Sequence, residues 1–354
     1  MRNAWVAVVM ALALQAGLAC AQPAPGELMT LPVELRQRLH AEVLDGRHGA
    51  QQKLDRLGRF MFEPEGLGMT YQEDANHSVA QAYATRTANC LTFTLLFVAL
   101  AREAGLDAAP QEIEDTLAWR QDDGTLYLSN HVNAVVRIGS RRYIVDVAGD
   151  NVIARDPPAP ISDERLMSHY YNNLAVQRLA QGDYPGGLAM ADAALRLDPL
   201  YATHWSNAGV LHVRNGDLPA AQRAYARALA LDPRNANALF NVASLAQRMG
   251  DRSREMEYRQ RLAKVQQDDP FHQFLLAANY ERTGDLARAI RHYRRAISLH
   301  GEEHRFHSAL ANAYLQAGDV RRAARSLARA QALSDGDTRA AYRDRLDQLR
   351  RQAR

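Results

Sequence analysis

The spacing of apolar residues predicts helices between residues 32 and 104 and strands between residues 111 and 147. Between residues 32 and 62, apolar side chains recur every three or four positions, which predicts one or two amphipathic helices. A further helix is predicted over residues 89–104, because an apolar run follows Asn89, an acceptable N-cap, and Gly105 ends it.

From residue 111 to residue 147 the apolar period becomes two, which indicates antiparallel strands with one buried face. Turn residues lie between the strands, at 122–124 and at Gly139-Ser140. Three prolines then indicate a linker over residues 156–167. The predicted strands are 116–120, 125–128, 132–138 and 143–147.

Beyond the linker, the pattern repeats on a longer scale. A Gly-Asp pair recurs every 34 residues, and each interval has room for two helices. This period resembles the tetratricopeptide repeat, which implies an all-α solenoid. We therefore predict five repeats over residues 168–338 and a capping helix over residues 339–354. The glycines of the pairs are at positions 182, 216, 250, 284 and 318.

The second repeat follows the tetratricopeptide pattern best, and the third departs from it. In the second repeat, Gly209 lets the paired helices approach, while Trp205 and Tyr225 fill the space between units. In the third repeat, Glu255 and Arg259 replace small and aromatic residues. Leu262 is a further replacement of this kind, and the third unit is degenerate.

Three asparagines, Asn173, Asn207 and Asn241, occupy the same first-helix position of successive repeats. Their amides are candidates for hydrogen bonds to an extended peptide, and the alternative is that asparagine is simply common at this position. Phe271 and Phe274 are expected to pack between units. The repeats predict a protein or peptide partner.

Composition and charge narrow the classes of function. The chain has 354 residues, of which 47% are hydrophobic and 23% charged, as in soluble proteins with room for two cores. Its formal net charge is +3, with no concentrated basic face of the kind that nucleic-acid binding needs. We expect no nucleic-acid partner.

The N-terminus predicts export. A positive start, an apolar run over residues 4–14 and small residues up to Ala21 form a secretory signal peptide over residues 1–21. The apolar run is shorter than the about 20 residues that span a bilayer. The alternative is a lipoprotein signal that acylates Cys20 and anchors the protein to a membrane. The expected location is periplasmic or secreted.

Cys90 is the candidate nucleophile. The sequence contains two cysteines, so the loss of Cys20 with the signal peptide leaves Cys90 without an intramolecular disulfide partner. It lies in the first turn of the predicted helix, where unpaired N–H groups and the helix dipole favour a thiolate. Its N–H is placed to donate to a substrate carbonyl oxygen. The neighbouring Asn89 is a candidate substrate-binding residue or simply the cap.

His131 and Asp146 are placed together by the turn between their strands. If Gly139-Ser140 is a two-residue turn, positions that sum to 279 lie opposite one another, and Asp146 faces Asn133. His131 and Asp146 then share one face as diagonal neighbours, about 7 Å apart at Cβ. In that arrangement Cys90 attacks, His131 carries the proton and Asp146 orients the imidazole.

The sequences around these three residues resemble the transglutaminase-like superfamily, whose fold is papain-like and α+β. The resemblance covers roughly residues 70–150 and implies a transglutaminase-like domain, which we assign to residues 22–155. Asn133 and Ala134 stand where the superfamily often has an aromatic residue. The matching stretches are Arg-Thr-Ala-Asn-Cys-Leu-Thr-Phe at 86–93, Ala-Arg-Glu-Ala-Gly-Leu at 101–106, His-Val-Asn-Ala-Val at 131–135 and Tyr-Ile-Val-Asp at 143–146.

The function predicted from these features is that of an exported thiol enzyme, either a cysteine peptidase or amidase or a transglutaminase-like acyltransferase. It hydrolyses or transamidates peptide or amide bonds through a thioester on Cys90, while the repeats bind a partner or substrate. The alternative is a non-catalytic scaffold or assembly factor with a degenerate first domain and an inert, packed cysteine.

Other chemistry has less support in the sequence. The three candidate residues fall one ligand short of a structural zinc site, and we predict neither a metal nor a cofactor. His77 and His169 have no partner that the sequence identifies, and we expect both to be solvent-exposed loop residues.

Overall fold

The fold is mostly helical. In the computed structural model, the described part of the chain forms fifteen α-helices and seven strands. None of the helices described is long and apolar enough to cross a membrane. The predicted signal peptide, with Cys20, and the predicted turn at 122–124 lie outside the described residues. Those residues are 24–119, 126–147, 152–154 and 156–352.

In its described residues, the N-terminal region forms a short 3-10 helix (Pro25–Glu27), four α-helices and seven strands. The helices are α1 (Val33–Glu42), α2 (Ala50–Phe62), α3 (Val79–Thr85) and α4 (Cys90–Glu103). The strands are β1 (Thr70–Tyr71), β2 (Thr87–Ala88), β3 (Asp107–Trp119), β4 (Leu126–Ile138), β5 (Arg141–Val145), β6 (Val152–Ala154) and β7 (Ala159–Pro160).

The repeat region consists of five helix pairs and a final helix. The pairs are α5 (Asp163–Ala180) with α6 (Tyr184–Leu197), α7 (Ala202–Arg214) with α8 (Leu218–Leu231), α9 (Ala236–Met249) with α10 (Arg252–Gln267), α11 (Pro270–Arg282) with α12 (Leu286–Leu299), and α13 (His304–Gln316) with α14 (Val320–Leu333). The final helix is α15 (Gly336–Gln352).

Helix α4 is the centre of the N-terminal core. All eleven residues from Leu91 to Ala101 are buried, so this helix is apolar on every side. It packs on β3 and β4 as well as on α1, α2 and α3. Gly105, at φ +75°, takes the left-handed conformation that ends the helix, as the sequence predicts.

The sheet is antiparallel, in the order β5-β4-β3-β6, with β7 also paired to β3. Its strands differ from the prediction in length. β3 begins at Asp107, and β4 runs without a break where the sequence indicated two strands separated at 129–131. β4 pairs with β3 along almost its whole length, and this ladder keeps the polar residues before Val132 in the strand.

The predicted register between β4 and β5 is confirmed. Ala134 lies opposite Val145 and Ile138 opposite Arg141, so paired positions sum to 279. Gly139 has φ +60°, the conformation that a tight hairpin requires at its first turn position.

The five Gly-Asp pairs close the five helix pairs in the same way. Each glycine has φ between 77° and 85°, the left-handed conformation of a helix C-terminus. Each aspartate then caps the second helix by accepting a backbone N–H three residues later, as Asp217 does from Ala220 at 2.9 Å. The other four caps are Asp183, Asp251, Asp285 and Asp319.

The predicted packing of the repeats is confirmed at two places. A Cβ added to Gly209 would lie 2.4 Å from the Tyr225 ring, so only glycine permits this close approach of α7 and α8. Phe271 and Phe274 are buried, and the Phe274 ring stacks on Phe306 of the next repeat with centroids 4.7 Å apart. These aromatic residues pack between the fourth and fifth repeats.

The junction differs from the linker predicted over residues 156–167. Strand β7 lies within it, and α5 begins at Asp163 after its cap, Ser162. Leu166 and Tyr170 of α5 are fully buried in the same core as α4. The first repeat is therefore packed directly on the N-terminal region.

The end of the array is covered by α15. Leu346 and Leu349 are buried against Leu327 and Ala311 of the last pair. This helix begins at Gly336, three residues before the predicted start of the capping helix.

Candidate functional site

Cys90 is the first residue of α4 and is half-buried. Its helix starts there because Asn89 is the N-cap, whose side-chain oxygen accepts the N–H of Thr92 at 2.8 Å. Asn89 is itself buried, and its amide nitrogen faces the backbone oxygen of Glu73 at 3.5 Å. The structure thus uses Asn89 as the cap, one of its two predicted roles.

His131 lies on β4 and is bound to Asp146, the residue that follows β5. Its Nε2 lies 2.8 Å and 2.9 Å from the two carboxylate oxygens of Asp146. The imidazole is 4% exposed, so this contact is shielded from water. The predicted diagonal placement on one face of the sheet therefore brings the two side chains into contact.

Asn133 is a further residue of this cluster, and its role was not predicted. Its Nδ2 donates to Oδ2 of Asp146 at 3.1 Å, so the carboxylate is fixed from two sides. The Oδ1 of Asn133 is buried and has no hydrogen-bond partner among the residues that the structure describes. The sequence contained this information, because positions that sum to 279 lie opposite one another, which places Asn133 directly opposite Asp146. The Asn133 amide orients the carboxylate there.

The environment of His131 favours its charged form. Burial lowers the pKa of the imidazole, but hydrogen bonds to Asp146 and Cys90, together with their charges, raise it to about 10. Because Nε2 faces Asp146, Nδ1 is the ring nitrogen left for Cys90. The structure therefore places the three predicted residues in one chain of contacts.

A β-bulge lies beside His131. Ile113 pairs with His131 and Thr116 with Ser129, so β3 has one extra residue between these pairs. A bulge of this kind turns a strand locally and is frequent next to functional sites. The side chain of Asn130, at the bulge, donates to Glu112 at 3.2 Å.

Glu112 is the centre of a second polar cluster, at the junction with the repeats. Its carboxylate is 2% exposed and lies 2.9 Å from Arg165 of the first repeat. It also accepts a hydrogen bond from Tyr201 of the second repeat at 3.1 Å. Burial raises the pKa of Glu112, but His169 and Arg165 outweigh it and lower the pKa to about 2.

His169 belongs to this cluster, so its prediction as an exposed loop residue is wrong. It lies within α5, is 8% exposed, and its Nε2 is 3.2 Å from Glu112. Its ring packs edge-on against Tyr201 and His204. His204 in turn contacts Ser168 at 2.8 Å. Burial, together with the charges of His169 and Arg165, lowers the pKa of His204 to about 2. His77 lies in a loop, as predicted, but it is half-buried rather than exposed, and burial lowers its pKa.

The three repeat asparagines differ in their surroundings. Asn173 is exposed, whereas Asn207 donates to Asn172 at 2.9 Å and Asn241 donates to Ser206 at 3.2 Å. Two of the amides therefore link neighbouring first helices. Phe240, next to Asn241, is 56% exposed on the same helix. Peptide binding by these residues stays a prediction.

Metal ligands do not converge in the part of the chain that the structure describes. There, no three histidine, cysteine, aspartate or glutamate side chains are grouped so that they could hold a metal ion. The contacts of Cys90, His131 and Asp146 instead suit proton transfer to and from a thiol.

Comparison with known proteins identifies the helical region. Family models of the tetratricopeptide repeat match residues 172–221, 207–268 and 282–343. No curated protein matches the chain.

Three solved structures illustrate the similarity. MamA from Desulfovibrio magneticus RS-1 is 18% identical over 49% of this chain and 96% of its own, with a TM-score of 0.27. YrrB, described as a TPR protein with an unusual peptide-binding site, is 18% identical over 50% and 92%, with a TM-score of 0.27. PilW, described as a widely conserved type IV pilus biogenesis factor, is 17% identical over 52% and 86%, with a TM-score of 0.27. The C-terminal region of this protein consists of tetratricopeptide repeats.

Proposed function

We propose that this protein is a repeat scaffold that binds a protein partner. The observation that carries this proposal is the family match, because arrays of tetratricopeptide repeats form extended surfaces of stacked helices for protein binding. Their stacked helices leave apolar side chains exposed, such as Phe240 at 56%. Exposed aromatic residues beside polar groups are frequent anchors in protein interfaces.

The surface around Phe240 is the best candidate for this contact. The amides of Asn207 and Asn241 lie along the same side of successive first helices, where each is linked to the preceding helix. Such links fix the spacing of the helices and hold the surface rigid. A rigid apolar anchor loses little conformational entropy on binding.

Site-specific crosslinking tests the scaffold proposal. The full chain, with a photoreactive residue at position 240, is expressed in the cells that naturally make the protein. We expect one crosslinked species of defined mass. The matched control is position 227 on α8, where the exposed Arg227 lies on a second helix. Equal crosslinking at both positions, or none at position 240, would contradict the proposal.

A second function, thiol acyl transfer by the N-terminal region, is favoured by the contacts of His131. They support a reaction in which the Cys90 proton already resides on Nδ1 of the His131 imidazolium when the sulfur attacks a carbonyl carbon. The imidazolium then donates that proton to the leaving nitrogen as the C–N bond breaks, which leaves a thioester. Water or an amine then attacks the thioester carbonyl and loses a proton to His131. The C–S bond breaks with its electron pair on sulfur, which releases the acid or the new amide and restores Cys90 beside the protonated His131.

The residues around this site have distinct parts in the proposed reaction. Asp146 and Asn133 hold the imidazole in one orientation, since the carboxylate lies within hydrogen-bonding distance of both. The N–H of Cys90 is in the first turn of α4 and is proposed to stabilise the oxyanion. The substrate class is a peptide or amide carbonyl, because a thiol nucleophile with an imidazole proton carrier suits that group.

Labelling with a thiol-directed acyl probe tests this second function. We expect wild type to react, Cys90→Ala to lose the label, and His131→Ala to react at least about 100-fold more slowly. Circular dichroism checks that the variants fold. If His131→Ala and wild type label at equal rates, Cys90 is only an accessible thiol.

Export remains part of the proposal. A signal peptide over residues 1–21 predicts a mature chain that begins at Gln22, whereas lipidation predicts an acylated Cys20. The mass of the mature N-terminal peptide distinguishes the two, and an uncleaved Met1 would contradict both.

A further inference from the structure

Strand β6 of the N-terminal sheet contacts the far end of the repeat array. Ile153, its central residue, is fully buried and belongs to the same apolar cluster as Phe271 and Phe306 of the fourth and fifth repeats. The backbone oxygen of Val152 accepts a hydrogen bond from Nη2 of Arg305 at 3.0 Å. Three extended residues thus receive both an apolar contact and a main-chain hydrogen bond from the repeats.

The repeat surface that receives β6 is held in shape by its own contacts. Nε of Arg305 donates to Oε1 of Glu303 at 2.8 Å, and the Glu303 side chain is only 10% exposed. Glu303 also caps α13, because Oε1 accepts the backbone N–H of Arg305 at 2.9 Å. An arginine oriented by a buried carboxylate holds its guanidinium in a fixed direction, here with Nη2 toward the Val152 oxygen.

Two aromatic rings pack beside this arginine, and we call them the Phe271–Phe306 wall. The rings of Phe271 and Phe306 are both fully buried, 6.2 Å apart and nearly perpendicular. Phe274 and Tyr293 complete the packing of the two repeats from behind. The repeats themselves therefore form this wall, and it receives the side chain of Ile153, next to the Val152 carbonyl that accepts from Arg305.

Strand β6 is a short occupant of this surface. It has three residues and pairs with β3 over only three positions, Thr116 to Ala118. A contact of this size is easily exchanged for a longer extended segment, because each main-chain hydrogen bond contributes only about 1 kcal/mol net.

We propose that the starts of α11 and α13 form a recognition site for an extended segment with a branched aliphatic side chain. Strand β6 is its intramolecular occupant, and a partner segment of the same chemistry replaces β6. The inference rests on the proposed scaffold function and gives the chemistry of one partner. Arg305 binds the partner's carbonyl, and the Phe271–Phe306 wall takes its aliphatic side chain.

A peptide with the sequence of residues 151–156, Asn-Val-Ile-Ala-Arg-Asp, is the probe for this site. Its binding to the full chain is measured by saturation-transfer NMR on the isoleucine methyl groups. We expect Ile153→Ser to bind the peptide about tenfold more tightly than wild type, since the attached strand competes at an effective millimolar concentration. Ile153→Val, which keeps most of the side chain, should bind as weakly as wild type.

Two controls make the result specific. Ile144→Ser changes an isoleucine of the same sheet that is 57% exposed, and should leave peptide binding at the wild-type level. Arg305→Ala in the Ile153→Ser background should weaken binding at least about fivefold. Equal binding by wild type and Ile153→Ser, or no binding by a folded Ile153→Ser chain, overturns the inference. Crosslinking at position 240 is independent of that outcome and tests the scaffold function separately.

Discussion

The repeats and the N-terminal region differ in the sequence distance between the residues that meet. Every repeat joins two consecutive helices, and the same Gly-Asp turn closes all five pairs. The candidate site instead joins the start of α4 to the middle of β4 and the end of β5, through Cys90, His131 and Asp146. Periodic local contacts build a surface, whereas a site for chemistry depends on contacts between distant segments.

The two regions also differ in how far their ion pairs are exposed to water. Ion pairs within the repeats are mostly exposed, such as Arg329 with Glu302. At the junction, Glu112 is almost completely buried and is paired with Arg165. An exposed pair contributes little, but a buried charge that loses its partner is costly. The junction is therefore the place where a single substitution affects both regions.

The largest expected effect is at this junction. Arg165→Leu leaves the Glu112 carboxylate buried with a weaker set of partners, and we expect a loss of about 3–5 kcal/mol in the free energy of unfolding. Arg329→Leu, which removes the exposed pair with Glu302, should cost less than about 0.5 kcal/mol. Urea denaturation of both variants measures the difference. Similar losses would mean that the junction pair is no more important than a surface pair.

The next effect concerns the pH dependence of the N-terminal region. The pKa of His131 is about 10 in the fold, above its ordinary value of 6.5, so folding retains a proton that the unfolded chain releases. The stabilisation is fully present below pH 6.5 and is lost as pH rises through about 10. This stabilisation is on the order of 5 kcal/mol.

Thermal unfolding between pH 6.5 and pH 10 checks this dependence. Wild type should lose stability over that range, whereas Asp146→Asn, which removes the carboxylate charge, should show a flatter profile. Parallel profiles would show that the His131–Asp146 pair has no charged character.

A third prediction compares glycines in the two regions. Gly209→Ala places a methyl group against the Tyr225 ring, so we expect a loss of roughly 1–3 kcal/mol. Gly58 lies in α2, and no atom is within 4 Å of a Cβ added there. Gly58→Ala should therefore stabilise the chain by about 0.5–1 kcal/mol. Denaturation midpoints distinguish the two signs. A neutral Gly209→Ala would show that the helices of the second repeat separate easily.

The smallest expected effect is the loss of one helix cap. Asp217→Ala leaves the Ala220 N–H without its acceptor and should cost about 1 kcal/mol. Asp217→Asn keeps an acceptor oxygen and should lower the free energy of unfolding by only a few tenths of the loss caused by Asp217→Ala. Hydrogen exchange at the first turn of α8 locates the change, and uniform exchange along the whole array would argue against a local cap.

The sequence determined the repeats almost completely. A glycine that must take a positive φ and an aspartate that caps the next helix act within a few residues, so their recurrence every 34 positions fixed the number and order of helix pairs. It also determined the β4–β5 register, because a two-residue turn leaves one choice of pairing. The contact of His131 with Asp146 followed from that register.

Only the tertiary structure decided which polar residues are buried together. Glu112, His169 and Tyr201 come from β3, the first repeat and the second repeat, and no local pattern relates them. The same holds for Ile153, which is buried by helices that begin more than a hundred residues later. Helix capping and strand pairing act over a few residues, whereas these contacts depend on how the sheet docks on the array, and that is a property of the whole fold.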